Sequence, residues 1–271
     1  MTTPGPEAFV EDLWPAVRQA AAIARALEGR VANRPKSGER SDVKAALTVA
    51  DTACQEALLV PLLRRFSDVR LEAEEDTESV HAFRAERDAL VVVDPIDGTL
   101  RSYLDRGGPY AVMAGLSLAG RFQAMVLALP REQIVMRAVE GGGVFVAKGD
   151  ETPHRARVDA QGDTVLASYH LPDAVAGRIR ERGWRIAHGC GGAVAVAPLL
   201  SGVVGGIRVP SPRPLSLRGR IGLLASQEAG ARIAQARGPV SPQLAEALPH
   251  VAVAADDRVL ADLVEALRAD G

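Results

Sequence analysis

Residues 89–99 read ALVVVDPIDGT, and the change of character within this segment decides how the fold is interpreted. Residues 89–93 form a continuous apolar run, which is typical of a strand buried on both faces. Proline and glycine then force the chain to turn, because Pro fixes φ and Gly accepts backbone conformations that other residues avoid. The turn carries two carboxylates, Asp94 and Asp97. The segment therefore predicts a buried strand that ends in an acidic turn.

Two carboxylates this close repel each other unless a cation lies between them. Oxygen ligands suit Mg²⁺, which typically binds a few carboxylates, substrate phosphate and water. We expect Asp94 to bridge two ions, Asp97 to bind one of them, and the Ile96 carbonyl to coordinate. Gly98 and Thr99 follow at the predicted start of a helix, where unpaired N–H groups favour phosphate. The alternative is that the two Asp residues only cap a turn, and the motif alone does not choose.

The rest of the chain predicts a layered α/β fold in two halves. Helical spacing of apolar residues predicts helices over residues 8–27 and 48–66, and residues 69–73 have a strand pattern. Short β-patterned runs separated by turns predict antiparallel strands over residues 110–118, 123–129, 134–139 and 143–147. The second half alternates predicted strands (165–169, 184–188, 203–208 and 251–254) with predicted helices (172–181, 191–200, 222–228 and 258–267). We expect one compact unit, with the metal and phosphate site in residues 1–150 and a substrate-binding loop in residues 151–271.

Composition excludes several classes of function. Of the 271 residues, 47% are hydrophobic and 24% charged, which is typical of a globular chain. The net charge of −2 provides no general attraction to nucleic acid or to an anionic membrane. Two cysteines, Cys54 and Cys190, are too few for a disulfide framework. Residues 1–9 do not resemble a signal peptide, and no apolar run approaches the ~18 residues of a membrane span. We therefore expect a cytoplasmic protein with no membrane or nucleic-acid partner.

The acidic turn resembles the DP(I/L)DGT motif of the inositol monophosphatase family of Mg²⁺-dependent sugar and nucleotide phosphatases. Members carry an acidic pair after a short strand upstream of this motif, and residues 73–75 read AEE. Residues 47–51, LTVAD, are similar to the family's T-x-x-D segment, and residues 138–145, AVEGGGVF, to its glycine-rich hairpin. The resemblance runs from about residue 8 to 147 and continues more weakly to the end. It implies an αβαβα sandwich, Mg²⁺ or Mn²⁺ as cofactor, a small phosphorylated metabolite as substrate, and a homodimer.

The resemblance also implies roles for individual residues. The metal ligands would be Glu74, Asp94, Asp97 and the Ile96 carbonyl. Asp51 would orient the Thr99 hydroxyl, and Thr99 with Glu74 would position the attacking water. Family members often place a lysine near the metals, in the region before Asp51. Lys36 and Lys44 both lie there, and their spacing does not choose between them.

The family pattern breaks near the end of the chain. Members carry a late W-D-x-A-x-G segment shortly before an E-A-G, and its Asp binds the second metal. Counting back from the EAG at residues 228–230 places Arg218 where this Asp should stand. Residues 208–220 hold four arginines, and guanidinium groups suit a further phosphate or carboxylate on the substrate. The expected substrate-binding residues are Gly98, Thr99, Arg213 and Arg218.

Three functions follow from this pattern. The first is a metal-dependent phosphatase that hydrolyses a small phosphorylated sugar, cyclitol or nucleotide bearing a further anionic group. In the second, the same fold and phosphate site release phosphate without hydrolysis, by elimination or cyclisation, because Arg218 replaces a metal ligand. The third is a catalytically silent ligand-binding homologue. The presence of Asp51, Glu74, Asp94, Asp97 and Thr99 together argues against the third.

Overall fold

Two stacked β-sheets with helices between and outside them make up the computed structural model, which describes residues 5–38, 42, 46–210 and 214–268. The helices are α1 (Pro6–Leu27), α2 (Val49–Phe66), α3 (Asp173–Glu181), α4 (Gly191–Ala195), α5 (Leu223–Glu228) and α6 (Asp257–Arg268). A π-helical segment covers Thr99–Leu104, and 3₁₀ turns cover Glu78–Ala82, Ala197–Leu199 and Arg218–Arg220. No helix within these ranges is long and apolar enough to cross a membrane.

The first sheet has seven strands that follow one another in chain order. They are β1 (Val69–Glu72), β2 (Arg87–Asp97), β3 (Ala111–Leu118), β4 (Arg121–Leu129), β5 (Ile134–Val139), β6 (Gly143–Lys148) and β7 (His154–Ala156). β1 runs parallel to β2, and the remaining neighbours are antiparallel, as the short turns between them predicted.

The strand that carries the acidic turn is longer than its apolar run predicted. Pairing of β2 with β3 is irregular between Asp94 and Asp97, and it resumes where Asp97 pairs with Ala111. The predicted end at residue 93 is therefore wrong. Pro95 removes one donor from the ladder but does not end the strand.

The second sheet has six strands in the order β12-β11-β13-β10-β8-β9. They are β8 (Gly162–Ser168), β9 (Arg185–Gly189), β10 (Gly202–Arg208), β11 (Arg232–Gln235), β12 (Gly238–Pro239) and β13 (Val251–Ala254). β8 is parallel to both β9 and β10, so these three strands present their carboxyl ends at one edge.

Apolar side chains join the layers in a fixed order. Helices α1 and α2 pack on the outer face of the first sheet through one core cluster. Helices α4 and α5 fill the space between the sheets. Helices α3 and α6 cover the outer face of the second sheet. The predicted αβαβα architecture is confirmed.

The helix predicted over residues 191–200 is divided into α4 and a 3₁₀ turn at Ala197–Leu199. Pro198 has no N–H to donate to the carbonyl of Val194, so the α-helical pattern cannot continue through it. Strands β7, β11 and β12 were not predicted. They have two to four residues each, too few for a recognisable alternation.

Candidate active site

A cavity of about 320 Å³ lies where the ends of strands from both sheets meet. The first sheet contributes residues that follow β1 and β2, and the second contributes the ends of β8, β9 and β10 and the turn before α5. Residues that line the cavity include Glu74, Asp94, Ile96, Asp97, Gly98, Thr99, Ser168, Cys190, Gly191, Arg208, Arg218 and Gly219. The two halves of the chain therefore share one site.

The parallel pairing of β1 with β2 brings the acidic residues together. Glu72 pairs with Val92, so Glu74 and Asp94 each lie two residues beyond a paired position, at neighbouring strand ends. Burial, followed by the carboxylates of Glu74 and Asp97, raises the pKa of Asp94 well above its usual value. A positive charge beside these carboxylates would stabilise their ionised forms.

Arg218 supplies a positive charge to this cluster. Its Nη2 lies 3.5 Å from Glu74 Oε1, and its Nε lies 3.4 Å from Asp94 Oδ2. Burial lowers the pKa of Arg218, but the carboxylates of Asp94 and Glu74 outweigh burial and raise it above the ordinary value. The guanidinium therefore contacts two of the carboxylates that the sequence assigns to metal.

Two contacts join the acidic turn to the second half of the chain. The backbone N–H of Gly192, in α4, donates a hydrogen bond to Asp97 Oδ2. Gly98 has φ +90°, and a Cβ at this position would lie 2.7 Å from the Cβ of Cys190. Only glycine therefore fits both the backbone conformation and the close approach of Cys190.

The Thr99 hydroxyl is held by a buried network. Its Oγ1 lies 3.0 Å from Asp51 Oδ1 and 2.9 Å from the Ile96 carbonyl oxygen. Asp51 Oδ2 accepts from the Thr48 N–H at 2.8 Å and from its hydroxyl at 2.7 Å, in the capping box that begins α2. Burial raises the pKa of Asp51. The helix cap thus fixes the carboxylate that orients Thr99.

The segment after β1 is held in place by Lys36 and Gln55. Lys36 Nζ lies 2.7 Å from Glu75 Oε1, and the Glu75 side chain is 5% exposed. The Gln55 side chain forms two hydrogen bonds with the Glu75 backbone, to its N–H at 2.9 Å and its carbonyl at 2.6 Å. Of the two candidate lysines, Lys36 contacts the residue after Glu74, and Lys44 lies outside the described residues. These contacts fix the backbone position of the residue that follows Glu74.

We expect Lys36→Met to lower the free energy of unfolding by about 2 kcal/mol, because it leaves the buried Glu75 carboxylate without its cation. Chemical denaturation measures this change. The double variant Lys36→Met/Glu75→Gln should recover most of the loss, and Lys148→Met, at an exposed lysine, should change stability by less than about 0.5 kcal/mol. If Lys36→Met is as stable as Lys36→Met/Glu75→Gln, the ion pair between Lys36 and Glu75 does not stabilise the fold.

The donor set fits one magnesium ion. Asp94 Oδ1 is buried and has no hydrogen-bond partner among the described residues, whereas Oδ2 faces Arg218. Glu74, Asp94 Oδ1 and the Ile96 carbonyl are the kind of partial ligand set that Mg²⁺ accepts, since it retains water and binds substrate oxygens. A second ion between Asp94 and Asp97 does not fit, because Arg218 contacts Asp94 and Gly192 contacts Asp97. Among the described residues, no group of three or more His, Cys, Asp or Glu side chains is arranged to hold a metal ion by itself.

The substrate-binding residues are only partly those expected. Gly98 and Thr99 line the cavity, and Arg213 lies outside the described residues. Arg208, one of the four arginines of residues 208–220, and Ser168, which the sequence did not single out, also line it. The signal that locates them is their position at the carboxyl ends of parallel strands, where α/β sheets bind ligands.

The comparisons with known proteins agree with this architecture. A sequence model described as "Inositol monophosphatase family" matches residues 11–176. The IMPase of Thermotoga maritima has 20% identity and a TM-score of 0.72, over 95% of this chain and 97% of that chain. The extragenic suppressor protein SuhB of Bartonella henselae has 18% identity and a TM-score of 0.75, over 96% of this chain and 98% of that chain. At these identities the structural likeness shows the fold alone.

A third solved structure carries ligands. It is described as IMPase/NADP phosphatase complexed with NADP and Ca²⁺ and has 15% identity and a TM-score of 0.72, over all of this chain and 98% of that chain. No curated protein sequence matches this chain.

Proposed function

Since the chain belongs to the inositol monophosphatase family, we propose that it is a Mg²⁺-dependent phosphatase that hydrolyses a small phosphorylated sugar, cyclitol or nucleotide. The observation that carries the proposal is the cluster that the buried Asp94 forms with the half-buried Glu74 and Arg218, in the cavity that Thr99 also lines. Solved relatives described as an IMPase and as an NADP phosphatase support a search among these substrate classes.

The residues after the acidic turn would bind the phosphoryl group. The first backbone N–H groups of the helical segment that begins at Thr99 have no partner within that segment, and Gly98 and Thr99 face the cavity. Arg218, in the 3₁₀ turn before α5, would contact the phosphoryl oxygens, and its fixed charge matches the charge that develops during transfer. These groups together would orient the phosphorus for in-line attack.

Thr99 would position the attacking water. Its oxygen can accept a hydrogen bond from water, because its own hydrogen can be donated to Asp51. The Glu74 carboxylate would hold the same water from the other side. Mg²⁺ bound by Glu74, Asp94 and the Ile96 carbonyl would supply Lewis-acid stabilisation of the phosphoryl oxygens. The proton of the water would thus move towards Thr99 and the buried Asp51.

We expect Thr99→Val to lower kcat by about a hundredfold, because it removes the hydroxyl that aligns the water while keeping the side-chain volume. Steady-state kinetics on the best substrate measures this change. Thr99→Ser should retain most of the activity, since serine keeps the oxygen. Thr52→Val, which removes a hydroxyl bonded within α2, should have little effect. Equal activity of Thr99→Val and wild type would contradict the role.

Hydrolysis in ¹⁸O-labelled water tests the reaction itself. The purified protein is incubated with phosphorylated sugars, cyclitols and nucleotides, with Mg²⁺ or Mn²⁺, and released phosphate is analysed by mass spectrometry. We expect one labelled oxygen per phosphate and no release after chelation. Unlabelled phosphate with a cyclised product would favour the non-hydrolytic alternative, and ligand binding without turnover the silent homologue. Light scattering would test the homodimer that this proposal includes.

A further inference from the structure

Arg208 and Ser168 occupy equivalent places at the ends of two neighbouring strands. β10 and β8 are parallel, and Ile207 pairs with Ala167. The next residue is Arg208 in β10 and Ser168 in β8. The backbones of these two residues therefore lie about 5 Å apart, and their side chains leave the same face of the sheet. Both residues line the cavity. The fold therefore places a guanidinium and a hydroxyl side by side, about 40 residues apart in sequence.

The Arg208 guanidinium lies in a gap left by two glycines. A Cβ on Gly191 would lie 2.0 Å from Arg208 Nη1, and a Cβ on Gly219 would lie 2.5 Å from the same atom. Any larger residue at either position would displace the guanidinium. Its hydrogen-bond partner in the described part of the chain is the Gly219 carbonyl oxygen, at 3.4 Å, and no described carboxylate pairs with it.

Ser168 also has unused hydrogen-bonding capacity. The residue is 8% exposed, and its Oγ is buried with no partner among the described residues. A buried hydroxyl without a partner is uncommon in folded proteins, and such an oxygen often marks the place of a ligand. A guanidinium without a counter-ion beside it makes an oxyanion the matching ligand.

We propose that Arg208 and Ser168 form a second oxyanion site, which binds a carboxylate or phosphate on the same substrate whose phosphate monoester faces Thr99. This inference rests on the proposed function and specifies its substrate class: a phosphate monoester with a second anionic group. The expected contact from Arg213 is not needed for it, and Arg218 is engaged by the acidic cluster.

The second site lies close to the first. Gly191 precedes Gly192, whose N–H contacts Asp97, and Gly219 follows Arg218, which contacts Glu74 and Asp94. The Arg208 guanidinium therefore lies against the two backbone segments whose next residues contact the acidic cluster. A substrate that joins two anions by about two to five carbons would span the sites.

Non-hydrolysable phosphonates test this site without turnover. Three series with two to five carbons are titrated calorimetrically in the presence of Mg²⁺: alkylphosphonates, phosphonocarboxylates and bisphosphonates. We expect at least one doubly anionic ligand to bind about tenfold more tightly than the alkylphosphonate of equal length. A preference for phosphonocarboxylates would identify a carboxylate as the second anion, and a preference for bisphosphonates would identify a phosphate.

Variants assign the preference to Arg208. Arg208→Gln should reduce the tenfold ratio to about two or less, Ser168→Ala should reduce it partly, and Arg185→Gln, at an exposed arginine of β9, should leave it intact. Thermal unfolding verifies that each variant folds. If Arg208→Gln does not fold, Arg208→Lys replaces it, because lysine keeps the positive charge but lacks the planar guanidinium. With Lys, a ratio below wild type is expected. A preference that persists without Arg208, or none at any length in wild type, overturns this inference alone. Failure of all three series to bind overturns the phosphate site, and with it both proposals.

Discussion

Asp94→Asn should lower phosphatase activity by about a thousandfold while the protein remains folded. Asp94 contributes the unpaired Oδ1 to the expected magnesium site and contacts Arg218 through Oδ2. Asparagine keeps the shape but removes the charge, so both interactions weaken, and electrostatic stabilisation of the transition state is worth factors of this size. Activity at saturating Mg²⁺ and the affinity for Mn²⁺ are the measurements. The Mn²⁺ affinity should fall together with the activity.

The matched control is Asp88→Asn on the same strand. The Asp88 side chain is fully exposed, and its partner Arg70 lies 3.9 Å away at the surface, so this variant should retain full activity. Thermal unfolding of Asp94→Asn should occur at or above the wild-type midpoint, since one of three mutually repelling carboxylates is gone. An Asp94→Asn enzyme with wild-type activity would remove Asp94 from the site.

Arg218→Gln should strengthen Mn²⁺ binding about a hundredfold and weaken catalysis. A unit charge about 5 Å from a divalent ion, at an effective dielectric constant near 20, opposes binding by about 7 kcal/mol, and water around the partly exposed guanidinium screens roughly half of this repulsion. Removing the guanidinium removes this repulsion, but it also removes the group proposed to contact the phosphoryl oxygens, so kcat should fall by about a hundredfold. Electron paramagnetic resonance of free Mn²⁺ measures the binding, and steady-state kinetics measures kcat.

Arg218→Lys separates the charge from the geometry. Lysine keeps the positive charge, so Mn²⁺ affinity should stay near wild type. It lacks the planar fork that contacts Glu74 and Asp94 together, so kcat should lie between those of wild type and Arg218→Gln. If Mn²⁺ affinity is the same in Arg218→Gln and wild type, the Arg218 guanidinium does not lie close to the bound ion, and the expected repulsion is contradicted.

The sequence predicted the parts of the fold around the site that depend on local pattern. The apolar run before Asp94, the turn at Gly98 and the helix that begins near Thr48 each follow from residues within a few positions of one another. The helices and antiparallel strands of the first half were predicted for the same reason, because their periodicity is local. Arg218 was identified by counting from a downstream motif.

Contacts that depend on the register of distant strands could not be predicted. Arg208 meets Ser168 only because β10 pairs with β8, and many pairings of short parallel strands are compatible with the sequence. Lys36 and Lys44 were indistinguishable because the chain before Asp51 has no regular pattern, and only the burial of Glu75 identifies its partner. The second magnesium ion was an expectation from resemblance, and the contacts of Arg218 with Asp94 and of Gly192 with Asp97 argue against it.

The contacts of the acidic turn with the second sheet also bear on how the chain unfolds. Arg218, Gly192 and Cys190 all approach the turn from the same side. A partly opened form, with the second sheet moved away, would lose its counter-charge and leave Glu74, Asp94 and Asp97 facing one another. In such an intermediate the three carboxylates would repel one another, and Arg218 would be missing from the site. The site therefore favours all-or-none unfolding of the two halves of the chain.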